Sequence, residues 1–301
     1  MLSSIRNFIN GLAFGITQII PGLSGATIAI MLGFYFELLE AINCFFKDIR
    51  KNLKFLTPIF IGMIAGIIIF SSIVNFLLTN YSFPTMLFFI GLIAGILPHI
   101  YARVREDGTS GRRYEKLKIK NIVFIAIPFI ILVIASFLQE ASVTSPAELV
   151  DNIGIPFIIF LFVTGVLAAA ALILPGFSGS FVLLLLGVYH LAIYSISSIR
   201  HLLLDFSNIT LMLNIIKVLL PMGLGVIVGI LSMAKLIDKL IKNYNKLLYT
   251  IIFGLLLGSI FALFREPIVY QSGVSALAIV IGVVTFVSGA VLAYVLGKKR
   301  L

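Results

Sequence analysis

The chain has 301 residues, 60% hydrophobic and only 11% charged, with a mean hydropathy of +1.17. A soluble domain carries about 25% charged residues, so this composition excludes a soluble protein and indicates several membrane spans. The net charge of +10 would suggest nucleic acid in a soluble chain; here the basic residues flank apolar runs, so the partner is the membrane and not nucleic acid.

At the N-terminus, Arg6 before an apolar run imitates a signal peptide. Region 8–46 argues against that reading, because it is too long for one crossing and is interrupted by Pro21-Gly22-Leu23-Ser24-Gly25, a motif that returns later. Spans are predicted next at 55–78, 84–101 and 122–138. A second interrupted region, 153–196, carries Pro175-Gly176-Phe177-Ser178-Gly179 and is followed by spans at 211–233, 247–264 and 274–296. Each of the six is long enough for one crossing, which takes about 17 to 25 apolar residues. Cys44, the single cysteine, excludes an intrachain disulfide and a cysteine metal site. No cofactor and no metal are expected.

The two interrupted regions match beyond their motifs. Gly11, Ile19, Leu32, Gly33, Tyr35 and Ile42 recur 154 residues on as Gly165, Ile173, Leu186, Gly187, Tyr189 and Ile196. At an offset of 163, Pro58, Gly62, Gly66, Tyr81, Gly91 and Gly95 match Pro221, Gly225, Gly229, Tyr244, Gly254 and Gly258. The predicted fold is therefore an all-α integral membrane protein of two repeats in one membrane domain. The first covers 1–139 and the second 140–301, each a re-entrant or broken helix hairpin followed by three spans.

Charge sets the sidedness. Arg6 and the clusters at 47–54, 103–120, 235–246 and 298–300 hold 19 of the 22 Lys and Arg residues, which places all of them, and both termini, in the cytoplasm. Segment 139–152, with Glu140, Glu148 and Asp151 and no basic residue, faces outside. Region 153–196 must then cross an even number of times, and the repeats are inverted. The first arm, about 8–20, would be only ~20 Å of helix, short of the ~30 Å hydrocarbon core, which favours re-entrant hairpins. Paired apolar segments broken by Pro and Gly point to a transporter's binding site.

The motif chemistry suits an anion. Pro21 and Pro175 break the helix, and Gly22 and Gly176 can turn the chain through positive φ. Ser24 and Ser178 are N-cap types, while Gly25 and Gly179 would let a ligand approach the backbone. The following arm would offer free N–H groups to an anion, with Thr27 and Ser180 as added hydroxyl donors. Glu37 follows the first motif as a candidate proton-coupling carboxylate, with Glu40 one turn on at the interface; the second repeat has Leu191 and Tyr194 there. Arg265 is one of three basic residues on the outer side and a candidate phosphate contact. The pattern Gly-x-Ser-x-Gly fails in both copies, and the three histidines offer no metal spacing or triad.

The run Pro21-Gly22-Leu23-Ser24-Gly25-Ala26-Thr27-Ile28-Ala29, leading to Leu32-Gly33-Phe34-Tyr35 and Glu37, resembles the signature of the PopT-type polyprenyl-phosphate transporter family. The likeness covers essentially the whole chain, including Pro175–Gly179, Leu186-Gly187-Val188-Tyr189 and Pro98. The resemblance implies a flippase of the bacterial cell membrane. Its cargo would be undecaprenyl phosphate, the C55 lipid carrier of cell-wall synthesis, returned from the outer to the inner leaflet. Residue spacing itself leaves two other readings open. A secondary transporter of a small soluble anion would use the same half-helices around a closed cavity. A membrane lipid phosphatase would need a nucleophile and base within hydrogen-bond reach. The oligomeric state, including a homo-oligomer, is left open by the sequence.

Overall fold

In hydrocarbon, backbone N–H and C=O groups have no partner but each other, so apolar runs of this length fold as helices. The computed structural model of the chain describes residues 2–19, 24–105, 119–138, 154–176, 178–204, 209–270 and 274–298, and among these there is helix but no strand. The order is α1 (Leu2–Ile19), α2 (Gly25–Met31), α3 (Tyr35–Asn43), α4 (Ile49–Asn80), α5 (Ser82–Arg105), α6 (Ile119–Leu138), α7 (Ile155–Ile173), α8 (Gly179–Leu185), α9 (Tyr189–Leu204), α10 (Ile209–Arg265) and α11 (Ala276–Lys298), with a 3-10 turn at Pro267–Tyr270. The acidic connection at 139–152, most of the basic loop around 103–120, and Pro21 and Gly22 lie outside the described residues.

Six described helices are long and apolar enough to cross a membrane: α4, α5, α6, α7, α10 and α11. This is a multi-span membrane protein. The predicted spans 211–233 and 247–264 are two helices that meet at a kink at Tyr244 (φ −143°, ψ 44°) within α10. Tyr81, its counterpart 163 residues earlier, stands between α4 and α5 with φ −137° and ψ 44°. What the sequence suggests as a loop at 234–246 is thus helix on both sides of one residue. The first arm also differs. α1 begins at Leu2 and has 18 residues, or ~27 Å, because Ser3, Ser4, Arg6 and Asn7 continue the helix beyond its apolar part. Arm length alone therefore does not separate a re-entrant helix from a full span.

Glycines set the close crossings. A Cβ on Gly11 would fall 2.1 Å from the Ile59 carbonyl oxygen, one on Gly15 2.2 Å from that of Met63, and one on Gly62 2.2 Å from that of Phe8, so α1 and α4 run parallel in backbone contact. Gly165 against Met222 and Gly225 against Phe162 repeat the arrangement for α7 and the first part of α10, at 2.3 and 2.1 Å. The remaining spans cross over between the halves. α5 packs on α11, where Gly91 and Gly95 meet the carbonyls of Phe286 and Ala290, and α6 packs on the second part of α10, where Gly254 meets that of Ile125. Each half's second long element thus holds the last helix of the other half.

α5 forms the centre, with Ile90, Ile93, Ile96 and Ile100 all within 1% of full burial. α4, α6 and α11 turn exposed Ile, Val and Phe outward, the faces that lipid covers. Asn43 at the end of α3 donates to the Ala234 carbonyl oxygen at 2.9 Å, which brings the basic α3–α4 junction beside the basic middle of α10.

Candidate functional site

A helix end leaves its last carbonyls without partners, and Pro175 cannot donate an N–H to them. At the end of α7 these acceptors are met by the first copy of the motif. Tyr35 Oη donates to the Ile173 carbonyl oxygen at 3.0 Å, and Ser24 Oγ donates to that of Leu174 at 3.2 Å. The Gly176 N–H donates to Thr27 Oγ1 at 2.8 Å. Gly176 has φ +83°, the left-handed turn expected of it. The two motifs, 154 residues apart in sequence, therefore cross in direct contact.

This crossing corrects one sequence expectation. Ser24 occupies the N-cap position of α2 with extended backbone (φ −91°, ψ 128°), yet its hydroxyl makes no capping bond. The orphaned Leu174 carbonyl is the acceptor it serves instead. Thr27 Oγ1 accepts from the Gly176 N–H, which leaves its own O–H to donate. Ser24, Thr27 and Tyr35 are all buried. In the second copy, Ser178 and Ser180 bond each other at 2.8 Å, with Ser180 exposed and Ser178 and Gly179 partly so. Gly25 is buried, and a Cβ there would meet Gln18 and Phe14 of α1 at 2.6 and 2.7 Å; one on Gly179 would meet the Ala168 carbonyl oxygen at 2.7 Å. Both glycines stand where helices approach.

A second break follows each motif. α2 and α8 are only seven residues long. Gly33 (φ 72°) and Gly187 (φ 73°) then turn the chain, and the turn bends α2 against α3 by 115°. The Phe34 N–H reaches the Ala29 oxygen at 3.0 Å, and the Val188 N–H reaches that of Leu183 at 3.0 Å, the same bond 154 residues later. Both glycines were in the matched set, but their spacing alone carried no sign of a bend.

Beside the crossing lies an apolar groove of about 490 Å³ lined by Phe14, Ala26, Tyr35, Leu39, Leu56 and Ile173 among others. Its lining includes Leu53 and Phe60 of α4, 45% and 58% exposed on a lipid-facing helix. Glu37 lies near one end of α3, half-exposed, with its Oε2 3.7 Å from Arg6 Nη2. It lines two polar cavities, one with Arg6 and Asn10, the other with Glu40, Asp48 and Lys51. Sequence reasoning passed over Asn10, and its signal was an amide inside an otherwise apolar run. Arg265, at the end of α10, stacks on Phe137 with its guanidinium carbon 3.8 Å from the ring centroid, and it lines neither the groove nor the Glu37 cavities.

The model of the VCA0040-like, undecaprenyl phosphate translocase-like family matches residues 14–276. A polyprenyl-phosphate transporter of Staphylococcus aureus (strain NCTC 8325 / PS 47) is 30% identical over 259 residues, covering 86% of this chain and 85% of that protein. A polyprenyl-phosphate transporter of Vibrio cholerae serotype O1 (strain ATCC 39315 / El Tor Inaba N16961) is 27% identical over 273 residues, covering 86% of this chain and 77% of that protein. No solved structure matches. With a family match over residues 14–276 of its 301, the chain belongs to the undecaprenyl phosphate translocase-like family.

Proposed function

We propose that this protein carries undecaprenyl phosphate from the outer to the inner leaflet of the bacterial cell membrane, returning the carrier for envelope synthesis. The observation that carries the reading is the apolar groove beside the motif crossing, whose lining includes Leu53 and Phe60, exposed on the lipid-facing α4. A prenyl tail can stay in such a groove while its head group follows a polar path, whereas a small soluble anion has no use for an apolar one. The cargo named for both relatives, polyprenyl phosphate, has this form.

The mechanism we infer is alternating access between two inverted repeats with both termini in the cytoplasm. It is supported by the recurrence of the α1–α4 glycine contacts in α7 and α10, and by the matched turns at Gly33 and Gly187. Access would alternate at the paired breaks, with the exposed Ser180 and the partly exposed Ser178 and Gly179 as the polar surface of the second break. Returning an anion inward opposes a potential negative inside, work of ~2.3 kcal/mol per charge per 100 mV. A proton carried on Glu37 would offset that charge.

The test is flipping of labelled undecaprenyl phosphate in proteoliposomes, with uptake of inorganic phosphate as control. Protein-dependent flipping without phosphate uptake is the expected result. Phosphate uptake without lipid flipping would replace this reading with that of a soluble-anion carrier.

A further inference from the structure

The polar cavity between α1 and α3, about 250 Å³, is lined by Arg6, Asn10, Gly33, Phe34 and Glu37. We propose that it is a seat for a phosphate monoester head group, held by the Arg6 guanidinium and the Asn10 amide, with Glu37 as the counter-ion that the phosphate displaces. This rests on the reading of the protein as a lipid-phosphate transporter and adds where the head group sits.

Asn10 is 3% exposed, yet its Nδ2 has no hydrogen-bond partner. A buried donor without an acceptor is costly, so a ligand acceptor gives it a reason to stand there. Arg6 lies one turn before Asn10 on α1, so the two side chains share a helix face. Its contact with Glu37, 3.7 Å between half-exposed side chains, is well outside the 2.7–2.9 Å of a charge-assisted hydrogen bond. An ion pair this loose and exposed contributes little, and the guanidinium fork remains open to exchange. A phosphate can accept two parallel bonds from that fork and a third from the amide. Gly33 puts no side chain over the cavity. Glu37, once released, has Lys51 of α4 in the neighbouring cavity as an alternative partner.

The tail groove adjoins on the same two helices. Phe14, one turn beyond Asn10 on α1, and Leu38, beside Glu37 on α3, both line it. A head group in the polar cavity would therefore leave a prenyl chain next to an apolar wall. Free inorganic phosphate would gain the head-group contacts alone.

The experiment is equilibrium binding of a radiolabelled prenyl monophosphate to the purified protein in detergent, with inorganic phosphate as competitor. Arg6→Gln and Asn10→Leu should each weaken binding on the order of tenfold, while Glu37→Gln should tighten it severalfold by removing the competing carboxylate. Opposite signs for Arg6→Gln and Glu37→Gln are the decisive result, because a purely structural ion pair would make the two variants behave alike. Alike behaviour overturns the seat, and Glu37→Gln, which keeps the shape of the side chain, decides the point even if an Arg6 variant fails to fold. Inorganic phosphate should compete only at far higher concentration. Competition at equal concentration, still dependent on Arg6, would overturn the assignment of the seat to a lipid. Wild-type protein that binds and flips prenyl phosphate while Arg6→Gln binds equally well refutes only the seat; wild-type protein that does neither refutes the transport reading itself.

Discussion

At the scale of single residues, the two motif copies have diverged in use. The hydroxyls of Ser24 and Tyr35 donate to the broken end of α7 and that of Thr27 accepts from it, whereas Ser178 and Ser180 bond each other at a partly open surface. Thr27 has Phe181 as its counterpart, so the Thr27–Gly176 bond has no reciprocal in the second copy. Tyr35→Phe and Thr27→Val should each destabilise the protein by about 1–3 kcal/mol, because each strands one buried backbone group. Ser178→Ala should leave stability unchanged and reduce lipid flipping. Thermal unfolding in detergent together with the flipping assay checks both, and a Tyr35→Phe protein as stable as wild type would contradict the crossing. Gly25→Leu should fold with altered α1 packing and lose transport, because Phe14 and Gln18 can move. Gly179→Leu should cost more stability, because the Ala168 backbone cannot.

At the scale of elements, backbone contact through glycine is the joining device. Gly11→Leu and Gly165→Leu should both abolish the folded monodisperse protein on size exclusion, since each side chain would run into a carbonyl at 2.1 to 2.3 Å. If one tolerated leucine, the equivalence of the α1–α4 and α7–α10 pairs would fail. These glycines were legible in sequence as matched pairs at two offsets, as were the helical class, most spans and both motifs. Other features were not. The start of α1 was hidden by Arg6, Asn7 and Asn10, which lower local hydropathy without ending a helix. Tyr81 and Tyr244 were visible as a match, yet nothing in a tyrosine announces a one-residue break. The Ser24–Leu174 and Tyr35–Ile173 bonds were beyond reach, because they depend on which helix end lies opposite, a matter of long-range packing.

At the scale of the molecule, the basic clusters make sidedness measurable. Cys44, partly exposed near Lys47 and the only thiol, should react with an impermeant maleimide from the cytoplasmic face alone; labelling from outside would invert the topology. Proton coupling predicts that lipid flipping follows an imposed pH gradient in wild type and loses that response in Glu37→Gln, whereas equal responses would leave Glu37 outside the coupling. The exchange of last helices between the halves has a consequence for how the chain is made. The glycine face of α5 is complete once Arg105 has left the ribosome, but its partner α11 begins only at Ala276. At about 5–20 residues per second, that face waits on the order of ten seconds or more in the bilayer for its mate. The α5–α11 contact can therefore close only once α11 is made, and a ribosome that stalls before Ala276 leaves α5 unlatched.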